Sequence, residues 1–72
     1  MKEREVRLTN AVRMTKRERE IVVLIAGGMS NKEIAVQLSM AIPTVKSHIH
    51  NILEKLALHT RMQIAKNVYD AS

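Results

Sequence analysis

The segment 44–56, TVKSHIHNILEKL, carries hydrogen-bonding side chains at a spacing that could read a surface. At roughly 100° per residue, Val45, Ile49, Ile52, Leu53 and Leu56 gather on one side of a helix. Ser47, His50, Asn51 and Glu54 fall on the other, with Lys46, His48 and Lys55 along the edges. The chemistry open to such a face is direct readout of a DNA major groove. Lys46 can donate to guanine O6 or N7, Asn51 can pair with adenine N6 and N7, and Ser47 and His50 can serve several bases. No acid lies between Glu33 and Glu54, so the first turns of this helix would not repel phosphate. The alternative is a solvated polar face on an ordinary helical bundle, which the pattern by itself leaves open.

Other chemistries fit poorly. His48 and His50 are two residues apart and point to different faces of a helix, whereas a shared metal wants a four-residue spacing. No glycine-rich phosphate loop, carboxylate pair in a cleft or nucleophile with a nearby base can be assembled, so the chain reads as neither an enzyme nor a cofactor carrier. It has no cysteine, which removes disulfides, thiol catalysis and thiolate metal sites.

The elements that would position this face are marked by capping chemistry. Thr15 precedes Glu18 by three residues, Ser30 precedes Glu33 by three, and Thr60 precedes Gln63 by three. Each hydroxyl can accept from a helical N–H while the downstream side chain reaches back to the cap's own N–H. Gly27-Gly28 supplies a left-handed stop for the first helix. Four helices are therefore expected: one ending at Gly27-Gly28, one opening at Ser30, a third over about 42–56, and a last one from Thr60 to about Tyr69. The second and third form a helix-turn-helix. Inward faces are Ile21, Leu24 and Ile25; Ile34, Ala35 and Leu38; the apolar set of the third helix; and Ile64, Ala65 and Val68. Pro43 removes an N–H that would be unpaired anyway, yet biases Ile42 away from helical geometry, which would delay the start of the third helix. That helix also lacks the side-chain cap of the other three.

At 72 residues the chain is one all-α domain near the lower size limit, with a core worth about 3–5 kcal/mol. It contains no Phe or Trp, one Tyr and five Met, so packing depends on aliphatic and Met side chains. The formal net charge of +5 favours an acidic partner. The longest apolar run, Ile21 to Ala26, is far too short to span a bilayer, and no secretory signal precedes it, so a cytoplasmic protein without membrane contact is expected. Residues 1–13 read as a basic, flexible arm or linker before a folded domain at 14–72.

Anchoring groups flank the readout face. Ser30, Asn31 and Lys32 open the second helix, where unpaired N–H groups and the positive end of the dipole favour a phosphate. Thr44 can make the same contact from the third helix. Lys55 and Arg61 can touch flanking phosphates or pair with an acid such as Glu18 or Glu54.

The joint occurrence of RERE, SNKEIA, TVKSH, KL and TR resembles the C-terminal DNA-binding domain of bacterial LuxR/FixJ/NarL-type transcription regulators over roughly Met14 to Val68. The resemblance implies a four-helix domain that binds paired half-sites as a dimer, with the third helix in the major groove and the fourth at the dimer contact. By position it puts Lys46, Ser47 and His50 against bases and Lys32, Thr44 and His48 at the backbone, and makes Glu18, Val22 and Gly28 framework residues. It places self-association on Met62, Ala65, Lys66 and Tyr69, whose alternative role is to finish the monomer core. Departures are Ala41 where Ser is frequent, Val22 where Leu is usual, Val23 where a polar residue is common, and His50 at a position often basic or small. Family members usually carry a further N-terminal domain, and the sole aspartate here is Asp70. The chain is thus either a free-standing regulator or an output domain of a longer one. Competing readings are a sigma-factor-like promoter reader, told apart by RNA polymerase binding, and a protein-interaction module that kept the fold without DNA affinity.

Overall fold

Each helix contributes at least one fully buried β-branched residue to a single core, and that shared requirement sets how the helices cross. The computed structural model describes residues 14–71, with side chains through Val68. Its helices are α1 (Lys16–Ala26), α2 (Asn31–Leu38), α3 (Ile42–Leu56) and α4 (Arg61–Ala71). No strand occurs among the described residues, so the fold is all-α. The arm expected at 1–13 and the side chain of Tyr69 lie outside what is described.

Ile21 of α1, Ile34 of α2, Val45 and Ile52 of α3 and Ile64 of α4 are fully buried. Burying one such side chain stabilises by about 1.5–3 kcal/mol. Their convergence therefore dominates anything the surface contributes. α1 packs against α4 and α3, while α2 packs against α3. The helix-turn-helix is α2 and α3, joined by the three residues Ser39, Met40 and Ala41. The expected inward faces are observed with two additions. Val22 is buried beside Ile21 and Ile25, and Leu24 is only partly covered. Met14, just outside α1, is also buried, and its carbonyl accepts from Arg19 at 2.7 Å.

All three expected capping boxes form. Glu18 and Glu33 N–H donate to the Thr15 and Ser30 hydroxyls at 3.1 Å each. The Thr15 and Ser30 N–H groups donate back to the carboxylates at 2.9 and 2.8 Å. At α4, Gln63 N–H donates to Thr60 Oγ1 at 3.2 Å, and Gln63 Oε1 accepts from both Thr60 N–H and His59 N–H.

The helix ends share a second device. After α1, Gly28 takes φ +86 and Met29 N–H returns to Leu24 O at 3.1 Å. After α2, Ser39 takes φ 55 and Met40 N–H returns to Ala35 O at 2.8 Å. After α3, Ala57 takes φ 56 and Leu58 N–H returns to Leu53 O at 2.9 Å. Each is a Schellman closure whose next apolar residue folds back onto the core. Glycine announces the first in the sequence. Ser39 and Ala57 give no such signal, and both accept the left-handed cost, about 1–2 kcal/mol, because the tertiary fold demands the turn.

The delayed start expected for α3 is not observed. Ile42 is its first residue, with Pro43 in the opening turn and no side-chain cap at Ala41. The Ala41 carbonyl accepts from Thr44 N–H at 3.0 Å and Val45 N–H at 3.1 Å, which closes the turn without an N–H from Pro43. Extended geometry falls on Ala41, φ −75 and ψ 148, instead of on Ile42. Ala41→Ser supplies the missing cap, and chemical denaturation should show a gain of about 1 kcal/mol; a loss would mean that the Ala41 side chain makes a contact worth more than a cap.

Candidate nucleic-acid interface

The candidate interface rests on how α3 is held, because a helix must be fixed in direction before its exposed side chains can act together. The Lys55 ammonium, in the last turn of α3, donates to Glu18 Oε1 at 2.7 Å. The same oxygen accepts from Thr15 N–H, so one carboxylate ties the start of α1 to the end of α3. Glu18 is only 4% exposed. Burial pushes its carboxyl upward, but the hydrogen bonds from Lys55 and Thr15 and the charge of Lys55 outweigh that and hold it below its ordinary value of 4.5. Of the two roles open to Lys55 in the sequence, the structure shows the ion pair. Glu33 is likewise held low, by the Ser30 N–H and hydroxyl of its capping box.

With Val45, Ile49 and Ile52 turned into the core, the opposite side of α3 is left to solvent. Lys46, Ser47, His50 and Asn51 are all exposed there, Thr44 is exposed at the helix start, and His48 is half-buried on the flank. Glu54 shares this face. Its carboxylate lies 3.6 Å from His50 Nε2, an ion pair only when the imidazole is protonated, and both groups are mostly in water. Such exposed pairs contribute little to stability.

α2, which packs against α3, carries the remaining anchoring candidates at its start. Ser30 and Lys32 are exposed and Asn31 is half-buried. Ser30 caps the helix while the first N–H groups of α2 remain without intrahelical acceptors. Arg61, the first residue of α4, donates to Asn31 Oδ1 and to the Met29 carbonyl. The sequence offers Arg61 a phosphate or an acid; its partners in the structure are neutral oxygens of the α1–α2 turn and of α2. That contact had no local signal, because Arg61 and Asn31 are thirty residues apart.

On α4, Met62 is 79% exposed, so it does not finish the monomer core. Lys66 is exposed and Ala65 is partly buried against the core. Val23 on α1 and Val36 on α2 are exposed apolar residues. No group of His, Cys, Asp or Glu among the described residues could hold a metal ion. No helix among them is long and apolar enough to cross a membrane.

A short α2, a three-residue turn and a longer α3 with its polar side exposed, carried on α1 and α4, define a helix-turn-helix domain of the DNA-binding class. Comparison with known proteins narrows the class. A family profile described as "Bacterial regulatory proteins, luxR family" matches residues 12–68. The chain is 56% identical over 52 residues to the transcriptional regulatory protein LiaR of Bacillus subtilis, covering 72% of this chain and 25% of that protein. It is 52% identical over 50 residues to the response regulator protein VraR of Staphylococcus aureus, covering 69% of this chain and 24% of that protein. VraR of Staphylococcus epidermidis matches to the same extent. The chain belongs to the luxR family of bacterial regulatory proteins, as a LuxR-type helix-turn-helix domain and not an enzyme. It spans about a quarter of the length of these relatives.

Glu18→Gln tests the anchor. The depressed carboxyl contributes stability that is fully present above its ordinary value of 4.5 and is lost as pH falls through the lower folded value. The variant should be less stable at neutral pH by about 1–3 kcal/mol. Its unfolding free energy should also fall less steeply between neutral and acid pH than the parent's. Parallel pH profiles for the two proteins would show that Glu18 titrates alike folded and unfolded.

Proposed function

We propose that this domain binds double-stranded DNA sequence-specifically to regulate transcription in the bacterial cytoplasm, with α3 inserted in the major groove. The observation that carries the reading is the exposed side of α3, where Lys46, Ser47, His50 and Asn51 stand over a buried Val45–Ile49–Ile52 seam. In this reading Lys46, Ser47, His50 and Asn51 meet base edges. Ser30, Asn31, Lys32, Thr44 and His48 meet the sugar-phosphate backbone. Lys55 and Arg61, each already hydrogen-bonded inside the domain, stand outside that contact set in this reading.

Family membership supports the DNA reading over a sigma-factor-like or purely protein-binding module. The relatives, a transcriptional regulatory protein and response regulator proteins, support a role as the output domain of a larger regulator. Contact with RNA polymerase would belong to that role.

The exposed Met62 and Lys66 with half-buried Ala65 favour a weak homodimer through α4, with Tyr69 as the fourth member of the surface. Two recognition helices would then meet successive major grooves about 34 Å apart, one turn of DNA.

Selection from a random duplex library with purified protein at moderate salt should enrich a recurring short half-site. Absence of any enrichment, with affinity flat against salt concentration, would sink the DNA reading, because phosphate contacts release counterions. On the selected site, Lys46→Ala should lose about 1–3 kcal/mol of binding and relax preference at one base position. Lys66→Glu should leave single half-site binding intact and weaken cooperative occupation of paired sites; unchanged cooperativity would remove α4 from the dimer.

A further inference from the structure

Asn31 opens α2 at the point where the proposed interface meets a DNA backbone, and its carboxamide can present either an oxygen or an NH2 group outward. The two ends have opposite consequences beside a phosphate: the NH2 donates, and the oxygen repels. What chooses between them is Arg61. Its guanidinium carries only donors, so the amide end facing it must be the oxygen, and Nη1 does donate to Asn31 Oδ1. The second branch of the fork is held by the Met29 carbonyl, which locks the guanidinium in place across the α1–α2 turn. With Oδ1 committed, the free end of the Asn31 amide is Nδ2, and it makes no hydrogen bond among the described residues.

The surroundings agree with a donor facing outward. Arg61 forms no ion pair among the described residues, so no carboxylate competes with Asn31 Oδ1 for its guanidinium. The nearest acid in sequence, Glu33, is turned back onto the Ser30 N–H by the capping box. Lys32, next to Asn31, is exposed.

We infer that Arg61 is a positioning residue for DNA binding: it holds the Asn31 amide with Nδ2 outward, so that Asn31 takes the phosphate and Arg61 itself does not. The inference rests on the DNA reading above and assigns Arg61 a different task from the direct phosphate contact that the sequence suggests. It also links α4, the proposed dimer helix, to the backbone grip of α2 through one side chain.

The test is a double-mutant cycle on the full chain and its selected duplex, with Arg61→Ala, Asn31→Ala and the pair, each at two or more salt concentrations and each with a thermal unfolding curve. Each single variant should weaken binding roughly tenfold, the size of one lost charge-assisted hydrogen bond. The pair should be no weaker than either single, and in the Asn31→Ala background the loss of Arg61 should leave the salt slope unchanged. A pair that loses the product of the two single losses would overturn the inference. So would a slope that falls by about one phosphate's worth when Arg61 is removed from the Asn31→Ala protein. A merely structural Arg61 would give that multiplicative loss together with a lowered unfolding temperature.

Asn31→Asp supplies a second readout that survives any folding defect of Arg61→Ala. It keeps an acceptor for Arg61 and a favourable charge at the start of α2, so stability should hold or rise, while the outward group becomes an oxygen and binding should fall by more than tenfold. Binding equal to the parent's would overturn the inference. If the parent protein selects no duplex at all, the DNA reading itself fails and takes this inference with it; if the parent binds and the cycle is multiplicative, only the inference fails.

Discussion

A single buried carboxylate oxygen, Oε1 of Glu18, receives the Thr15 N–H and the Lys55 ammonium together. Taking a carboxylate out of water is costly, and losing one partner of this pair should cost about 1–3 kcal/mol. In a domain of this size that is a large part of the whole stability, so the pair acts as a geometric constraint. It fixes the end of α3 to the start of α1, at the opposite end of α3 from the turn that joins it to α2. A helix pinned at both ends keeps its outer side chains in a fixed arrangement. Half of the pair stays wet, since the Lys55 side chain is 36% exposed, which limits the desolvation cost of the ammonium.

The same economy governs the other charges. Among the described residues Glu18 faces Lys55, Glu20 pairs with Arg17, Glu33 closes a cap and Glu54 lies beside His50. Lys32 and Lys46 make no ion pair with any of them. Acids are thus bound to local tasks while cations beside the α2–α3 face stay available. This arrangement, more than the net charge, is what a polyanion would meet. Glu54 is the exception, an acid on the exposed side of α3 itself, 3.6 Å from His50 Nε2.

Local signals and long-range packing divide the structure cleanly. The capping boxes of α1, α2 and α4 were legible because both partners lie within one turn of sequence. The glycine stop after α1 was legible because only glycine takes that conformation without strain. The apolar period of α3 identified its buried seam, and with it the exposed Lys46, Ser47, His50 and Asn51. The closures at Ser39 and Ala57 were not legible, because ordinary residues were driven into a left-handed turn by the packing of Met40 and Leu58 behind them. Ile42 was expected to resist helix, yet the Ala41 carbonyl closes the first turn and moves the extended geometry back by one residue.

By itself the sequence determined the helices, the inward face of each and the side of α3 left to solvent, all of which depend on residues three or four positions apart. Only the tertiary structure decided which cations remain free: Lys55 is bound to Glu18 across thirty-seven residues, and Arg61 to Asn31 and Met29 across about thirty. Periodicity cannot foresee such choices, because a long basic side chain has many acceptors within reach along the sequence, and the crossing of helices around the isoleucine core selects one.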